Sequence, residues 1–529
     1  MKRNREIGLT YCQLRVAACT YVGLPLLVFL GGFLKCFFAL SSVAALLYAY
    51  YRVIVAYNVE KLHDHETVIT PSTMICVFAF TLLWTFLGGM NGYWFQTSDW
   101  NCRNPIYFDL IEFEWPVIYE QNGSALSYYI GHWLPPAFLA KLVFFITGSF
   151  RWARFFGRMF LWGWSSVGLT IIILLLFHYL KVSGRLRRVW AVVVFVGFSG
   201  LDIVGAICKG NLQEMLSPQI MHLEWWCARY QFTSMTACVY WVFNQTIVPW
   251  IVILCFMMEE DVSNFGFYGV ACLLCGPFAL VGIAICMLIK MACYWVSRIR
   301  SGLWKGMWKK VFSSSNIAMA LLVFPFVAAY ILTNDALAIR SVGNEASAIA
   351  KTVENASLIR RFFSGEYWNK ILIGFLVVEV GAYFALVFIE RKKEPMFYAI
   401  LLISVIAPFF RVGTSNDFCM RVSVPVMFIL MLYVNDFLQK HFTLHPKHKR
   451  KIGSKRFSRQ FMAYVLAVCL GIGMVTPVIE VYRGFYQVLT QGTIRLEDMS
   501  IGTFNREKVP LNFGCTHPDA FLFFKYLAK

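Results

Sequence analysis

Charged side chains are scarce in this sequence. Of its 529 residues only 15% are Asp, Glu, Lys or Arg, whereas 59% are hydrophobic. A soluble protein has about a quarter of its residues charged, so the composition excludes a set of soluble domains. Apolar runs of roughly 20 residues, long enough to cross a bilayer as helices, recur along nearly the whole chain. Because a backbone in lipid must satisfy its own hydrogen bonds, the sequence predicts an all-α polytopic membrane protein.

The common nucleotide and metal motifs are also missing from the sequence. It contains no P-loop, no glycine-rich dinucleotide fingerprint, no zinc-protease helix and no EF-hand. A soluble nucleotide is therefore not expected as a direct ligand. The two halves of the chain show no inverted repeat, which counts against a secondary transporter without excluding one.

The sixteen cysteines are numerous but scattered, mostly through apolar runs, as with Cys272 and Cys275 inside one predicted span. This placement argues against a disulfide framework or a zinc knuckle, and we interpret the cysteines as small packing residues. The basic start at residues 1–5 resembles a signal peptide, but no small-residue cleavage site precedes a soluble domain. We therefore predict an uncleaved first span.

Acidic residues are outnumbered, 29 against 48 basic ones, which gives a net charge of +19. The basic residues cluster in short loops between apolar runs, so we attribute them to membrane topology and predict no nucleic-acid partner. Residues 440–459 hold eight Lys or Arg and three His, and the positive-inside rule makes this loop cytoplasmic. Contact with lipid headgroups is a further use of such a loop. The same rule places the N-terminus, 298–310 and 390–393 on the cytoplasmic side.

These assignments agree with about thirteen transmembrane helices in residues 1–482, followed by a short extracytoplasmic tail at 483–529. Residues 128–148 are apolar enough to cross, yet crossing would put the basic loop at 181–188 outside. Their paired prolines and mid-segment His132 and Lys141 fit a helix that lies at, or dips into, the outer interface. The predicted spans are 17–34, 36–57, 72–92, 159–180, 189–207, 241–258, 265–279, 281–297, 316–333, 369–389, 396–411, 419–437 and 461–482, and the other outer segments are 93–158, 208–240 and 334–368.

Acidic side chains near the outer ends of spans are the candidate catalytic groups. Asp99 lies within about two turns of the span that ends at residue 92, where a carboxylate can deprotonate an incoming hydroxyl. An ordinary solvated carboxylate fits Asp99 equally well. Asp202 closes an apolar run between two glycines, and a buried ionisable residue at membrane depth is a functional candidate. A helix-end carboxylate satisfied by water is its alternative.

Two further acidic residues are less specific. Glu224 stands beside Trp225 and Trp226, which are also typical of interfacial anchors. Glu379 lies within a span, where it fits either a core hydrogen bond or a role in catalysis or transport. The predicted catalytic set is therefore Asp99, Asp202 and Glu224.

Arginines at the outer surface are the candidate phosphate ligands, because the guanidinium fork matches phosphate oxygens with two parallel hydrogen bonds. Snorkelling interface residues explain them equally well. Arg151, Arg154 and Arg158, at helical spacing, fit the same two roles. The predicted substrate-binding residues are Asp109, His132, Arg360, Arg361, Arg411, Asn416, Asp417 and Arg421.

The order of these features resembles the GT-C superfamily of membrane glycosyltransferases. In that superfamily an Asp follows an early span, interfacial helices come next, a second acidic motif ends a later span, and outer-loop arginines hold a polyprenyl-phosphate sugar. The segments SDWN at 98–101, SGLD at 199–202, HLEWW at 222–226 and NDFCMR at 416–421 also look like those of uncharacterised bacterial membrane proteins. The chain departs from the better-known branches in lacking an Asp-Glu pair in the first loop and an Asp-x-Asp at the second site.

The resemblance implies a GT-C-like bundle in the bacterial plasma membrane that transfers a sugar from a polyprenyl-phosphate donor to a glycan or lipid acceptor. Asp99 would deprotonate the acceptor in an inverting reaction on the outer face. Asp202 and Glu224 would orient the substrates, or hold a divalent cation such as Mg²⁺ or Mn²⁺ if the reaction uses one. A transporter or flippase for a lipid-linked or anionic solute, using Glu379, is the alternative, and a non-catalytic scaffold is a third. Acidic residues gathered around one outer cavity would favour the enzyme, and a polar path through the bundle would favour transport.

Overall fold

The computed structural model describes residues 8–60, 69–303, 306–338, 370–410, 417–442, 454–492 and 513–529. In this part of the chain the predicted all-α architecture is confirmed, since helices account for nearly all of the regular structure. In the first half the helices are α1 Tyr11–Phe33, α2 Cys36–Glu60, α3 Pro71–Leu87, α4 Trp100–Glu112, α5 Leu134–Thr147, α6 Phe150–Tyr179, α7 Arg185–Gly197, α8 Asp202–Lys209, α9 Leu212–Met215, α10 Met235–Trp241 and α11 Ile247–Met258.

In the second half the helices are α12 Phe265–Cys275, α13 Pro277–Arg300, α14 Met307–Val311, α15 Ser314–Leu322, α16 Phe324–Ile331, α17 Asp335–Ala338, α18 Lys370–Leu376, α19 Ala382–Arg391, α20 Pro395–Ile406, α21 Asp417–His441, α22 Ser454–Gly473 and α23 Val475–Gln491. Single wider turns occur at Val377–Gly381, which joins α18 to α19, and at Phe523–Leu527. Short 3-10 turns lie at Gly131–Trp133, Leu223–Cys227, Phe243–Gln245, Ala407–Phe409 and Pro518–Ala520.

Among the described residues, nine helices are long and apolar enough to cross a membrane by themselves. Helices α10 and α11 together form a tenth candidate, bent by 109°. The shorter apolar helices Pro71–Leu87, Phe265–Cys275 and Pro395–Phe409 coincide with the three remaining predicted spans. A multi-pass helical fold is therefore present, while the total of thirteen spans stays a prediction.

Two helices extend further than the hydropathy pattern predicts. Helix α6 begins at Phe150, nine residues before the predicted span at 159–180. Its first turns contain charged residues, so the hydropathy pattern left them out of the predicted span. In the structure one of these residues, Arg154, forms an ion pair with Glu112 of α4 at 2.5 Å. The last predicted span, 461–482, continues to Gln491 and is interrupted at Met474. Pro477 lies three residues beyond this break and cannot donate the backbone hydrogen bond that would continue α22.

The basic loops meet at one end of the bundle. Gln439 donates to the carbonyl of Arg187 at 3.0 Å, which joins the 181–188 loop to the end of α21. At the same end of α21, Arg391 forms an ion pair with Asp436. In addition, Lys290 of α13 donates to the carbonyl of Glu259, just after the end of α11, at 2.7 Å. Within the described residues, the 181–188 loop, Arg391 and the end of α21 thus lie together.

Residues 131–147 fold back along the first half of α6. The Nε2 atom of His132 lies 3.0 Å from the Ser165 hydroxyl, halfway along α6. At the other end of α5, Phe144 stacks on Phe150, with 4.0 Å between ring centroids. Helix α5 therefore covers half the length of α6, as a hairpin would, and its depth in a bilayer stays a prediction.

The C-terminal segment 513–529 returns to the end of the bundle opposite the basic loops. Strand β3 (Gly514–Cys515) pairs antiparallel with β2 (Ser124–Leu126), which pairs antiparallel with β1 (Ile118–Tyr119). Phe523 packs against Tyr330 at 5.2 Å between ring centroids. The described part of the predicted tail is therefore built into the bundle, because its apolar side chains fill a gap between α1 and α16.

Candidate functional site

A cavity of about 390 Å³ lies at the end of the bundle opposite the basic loops. Its walls come from the segments after α3 and α8, the starts of α13 and α21, the end of α16 and the C-terminal segment. The polar side chains that line it include Ser98, Asp99, Arg103, His222, Glu224, Gln231, Thr233, Asn334 and Arg421. The aromatic ones are Tyr128, Tyr129, Trp225, Trp241, Phe278, Phe418 and Phe513. Three residues predicted from the sequence, Asp99, Glu224 and Arg421, therefore share one cavity.

Asp99 occupies the residue before α4, and its carboxylate is about half exposed. Arg103, one helical turn later, forms an ion pair with it at 3.0 Å. The Arg103 guanidinium also lies 5.8 Å from the centroid of the Phe243 ring. At this side of the cavity the negative charge of Asp99 is therefore matched by a partly buried cation.

The segment 222–227 is held in an unusual backbone conformation. Met221 and Ala228, the residues that flank it, have positive φ angles of 38° and 59°. Residues other than glycine rarely have a positive φ angle, and the exceptions concentrate at functional sites. The segment presents His222, Glu224 and Trp225 to the cavity.

Glu224 is fully buried and is held by two hydrogen bonds. Its carboxylate accepts from the backbone N–H of Ser234 at 2.8 Å and from the Gln231 amide at 3.0 Å. The pKa of Glu224 is raised to about 7, mainly by burial; His222 opposes this change, and the nearby carboxylates of Asp202 and Glu480 add to it. Glu224 therefore changes protonation near neutral pH.

We expect Glu224→Gln to stabilise the protein at pH 8 but not at pH 5. The folded protein holds a proton on Glu224 that the unfolded chain releases above its ordinary pKa of 4.5. Stability is therefore lost as the pH rises from about 4.5 to about 7 and is constant above that. The difference between these two pKa values corresponds to about 3 kcal/mol in the free energy of unfolding. Glutamine does not titrate, so the variant does not lose this stability at high pH.

The measurement is the thermal unfolding midpoint in detergent at pH 5, 6, 7 and 8. Glu214→Gln is the matched control, because Glu214 is an exposed carboxylate in the same part of the chain. Equal midpoints for wild type and Glu224→Gln at every pH would contradict a protonated Glu224.

Arg421 lies in the second turn of α21, between two aromatic rings of the cavity wall. Its guanidinium is 5.6 Å from the centroid of Tyr129 and 5.7 Å from that of Phe278, and it donates to the Tyr129 hydroxyl. Aromatic faces hold a guanidinium in place, and its planar shape matches the oxygens of an anion such as phosphate. The side chain is therefore positioned, and partly desolvated, before any ligand arrives.

Asp202 lies behind the cavity wall and does not line it. Its carboxylate is fully buried and accepts from the hydroxyls of Ser199 at 2.7 Å and Thr476 at 2.8 Å. Glu379, also buried, accepts from the indole N–H of Trp226 at 2.7 Å. Asp202 was expected at the outer surface, but the helix break at 198–201 carries it inward. Asp202 and Glu379 therefore lie behind the residues that line the cavity. The catalytic role of Asp202 stays a prediction.

The other predicted binding residues lie away from the cavity or outside the described residues. Asp109 is buried and accepts from the Tyr119 hydroxyl at 2.8 Å, and His132 bonds to Ser165. Neither of the two lines the cavity. Outside the described residues are Arg360, Arg361, Arg411 and Asn416, and also the side chain of Asp417.

Two residues of the site were missed by the sequence analysis. His222 was noted only as a neighbour of Glu224, and Glu480 was not considered. Glu480 follows two apolar residues inside the last predicted span. The rule that selected Glu379, an acidic residue within an apolar run, would have selected Glu480 as well.

No group of three or more His, Cys, Asp or Glu side chains is arranged to hold a metal ion within the described ranges. No protein-family model, curated protein or solved structure matches the chain.

Proposed function

We propose that the protein is a membrane glycosyltransferase that moves a sugar from a polyprenyl-phosphate donor to a glycan or lipid acceptor. The observation that carries this proposal is the composition of one cavity. Carboxylates at Asp99 and Glu224, arginines at Arg103 and Arg421, and a ring of aromatic side chains all line it. Acid–base chemistry, phosphate binding and sugar binding each need one of these three groups.

The arginines supply the phosphate site. Arg421 presents a guanidinium that can bind two phosphate oxygens, and Arg103, the ion-pair partner of Asp99, also lines the cavity. Trp225, which is 45% exposed, offers a flat face on which the C–H face of a sugar ring can pack. The volume falls in the range of small-molecule pockets and fits a sugar phosphate headgroup.

The lipid tail of the donor would leave the cavity beside α13. Pro277 and Phe278, the first residues of this helix, line the cavity. Further along α13, Val281 and Leu288 are exposed, with 42% and 57% of their surface accessible. An exposed apolar face on a helix of this length meets lipid, so the donor can keep its tail in the bilayer while its headgroup enters.

The cavity end corresponds to the outer face. The loops that carry the basic residues lie at the other end, and the positive-inside rule puts that end in the cytoplasm. With the cavity outside, the donor is a lipid-linked sugar and not a soluble nucleotide sugar. Attack by an acceptor hydroxyl on the anomeric carbon, opposite the phosphate, gives inversion, and a base lining the cavity takes the hydroxyl proton.

The test is transfer by the purified protein reconstituted in vesicles that contain polyprenyl-phosphate sugars. We expect release of polyprenyl phosphate that depends on the protein and on an added glycan or lipid acceptor. The product should have the inverted anomeric configuration, measured by NMR. Release from none of a panel of hexose, pentose and N-acetylhexosamine donors would contradict the proposal.

Transport of a lipid-linked or anionic solute is the second candidate, because Asp202 and Glu379 are buried carboxyl groups within candidate spans. Against it, the bundle on the basic side of these residues is filled by aromatic rings. Trp250 stacks on Phe428 at 5.0 Å, and Phe195 contacts Trp250 at 5.3 Å between centroids. The same vesicles distinguish the two functions. Movement of the donor across the bilayer without chemical change would favour transport.

A further inference from the structure

His222 is built into the cavity wall in the manner of a catalytic base. One ring nitrogen, Nδ1, is hydrogen-bonded to the Glu480 carboxylate. The second carboxylate oxygen of Glu480 accepts from the indole N–H of Trp241 at 3.1 Å. The imidazole stacks on Trp241 with 4.0 Å between centroids and an angle of 18°. The ring is therefore fixed in position, in rotation and in tautomer.

The other ring nitrogen, Nε2, has no hydrogen-bond partner among the described residues, although the side chain is only 1% exposed. It lies 4.0 Å from a carboxylate oxygen of Glu224, beyond hydrogen-bonding distance, and His222 lines the cavity. A buried, unpartnered nitrogen is unfavourable unless a ligand uses it. Because a carboxylate can only accept, Nδ1 carries the proton in the neutral ring, which leaves Nε2 as an acceptor.

Asp99 is less suited to the same task. Its carboxylate is 48% exposed and already forms an ion pair with Arg103, so it is not held in one orientation toward the cavity by buried partners. An imidazole, in contrast, is a competent base near neutral pH. His222 and Glu480 form the arrangement known from catalytic triads, in which an acidic side chain orients the histidine base.

We propose that His222 is the general base of the cavity and that Glu480 is its positioning residue. This inference rests on the proposed glycosyl transfer. The acceptor hydroxyl oxygen forms a bond to the anomeric carbon of the donor, while its proton moves to Nε2. The bond between the anomeric carbon and the phosphate oxygen breaks, and the polyprenyl phosphate leaves with the electron pair. The imidazolium then returns its proton to water.

The charges around His222 are arranged for this step. Glu480 and Arg483 face it from α23, Glu224 from its own segment and Asp202 from α8. Burial by itself lowers the pKa of His222, but Glu480 and Glu224 outweigh it, so the net pKa is raised above its ordinary value, with Arg483 opposing. Glu480, which contacts the ring, contributes most of the charge that favours the imidazolium formed as the acceptor loses its proton.

The test is the pH dependence of transfer by the reconstituted protein. In the wild type, activity should rise with pH through a midpoint above 6.5, because the base must be neutral to accept a proton. His222→Gln should lower transfer at least a hundred-fold, the typical contribution of a general base. Glu480→Gln should move the midpoint to lower pH by about one pH unit, because it removes the carboxylate that raises the pKa of His222.

Asp99→Asn separates this proposal from the alternative base. We expect it to lower transfer less than ten-fold and to leave the pH midpoint in place. Transfer in His222→Gln within ten-fold of the wild type, or a hundred-fold loss in Asp99→Asn, would overturn the role of His222 while the glycosyltransferase itself stands. If the wild type transfers no sugar, the proposed function fails instead.

Thermal unfolding midpoints show whether each variant folds. If His222→Gln does not fold, the Glu480→Gln profile decides, because a merely structural role of Glu480 would lower activity at every pH without moving the midpoint. Glu214→Gln, an exposed carboxylate that does not line the cavity, is the variant expected to keep wild-type transfer.

Discussion

Replacing Arg421 with alanine should lower sugar transfer about a hundred-fold at subsaturating donor. A charge-assisted hydrogen bond contributes about 1.5–3 kcal/mol, and two bonds from one guanidinium to a phosphate account for a loss of this size. The loss should appear mainly in KM for the lipid-linked donor, since the phosphate is bound before and after the acceptor attacks. The measurement is the initial rate of polyprenyl phosphate release in vesicles over a range of donor concentrations.

Two variants control this experiment. Arg421→Lys keeps the charge but not the fork, so it should recover only part of the donor binding. Arg151→Ala removes an exposed arginine of α6 that does not line the cavity, and it should leave transfer unchanged. Equal losses in Arg421→Ala and Arg151→Ala would show that general surface charge, rather than a phosphate site at Arg421, determines the rate.

Glu259→Gln should destabilise the protein by about 3–5 kcal/mol, the usual effect of removing one partner from a buried ion pair. Glu259, after the end of α11, contacts Arg15 of α1 at 2.5 Å, and both side chains are less than a tenth exposed. Glu259 also accepts from the Tyr268 hydroxyl at 2.6 Å. The substitution removes the negative charge of Glu259 from beside the buried charge of Arg15. The measurement is the free energy of unfolding, together with the thermal midpoint, in detergent.

Asp261→Asn is the matched control for that substitution. Asp261 forms an ion pair with Lys310 at 2.7 Å two residues further along the chain, but both side chains are substantially exposed. Exposed pairs contribute about 1 kcal/mol or less, so this change should be small. Similar losses for the two variants would mean that burial does not decide the strength of these ion pairs.

The candidate site could be predicted in part, and the successful residues share a reason. Asp99 and Arg421 lie close to the ends of predicted spans, and Glu224 stands beside Trp225 and Trp226, which are typical of the membrane interface. Helices that alternate in direction bring such boundary residues to the same end, which is why these three line one cavity.

His222 and Glu480 could not be paired from the sequence, because 258 residues separate them. Their contact depends on how α23 packs beside the 222–227 segment, which no local pattern encodes. Asp202 shows the opposite failure. Its flanking glycines predicted close approach by a ligand or by another backbone, and in the structure its carboxylate accepts from Thr476 and does not line the cavity.

The fold class and the order of most helices could be obtained from the sequence alone. These properties follow from composition and from runs of about 20 apolar residues, since the cost of polar backbone and charge in lipid acts on each segment separately. Only the tertiary structure decided which polar residues meet. The helices touch through side chains far apart in the chain, and the contacts of His222 with Glu480 and of Arg421 with Tyr129 arise from that packing.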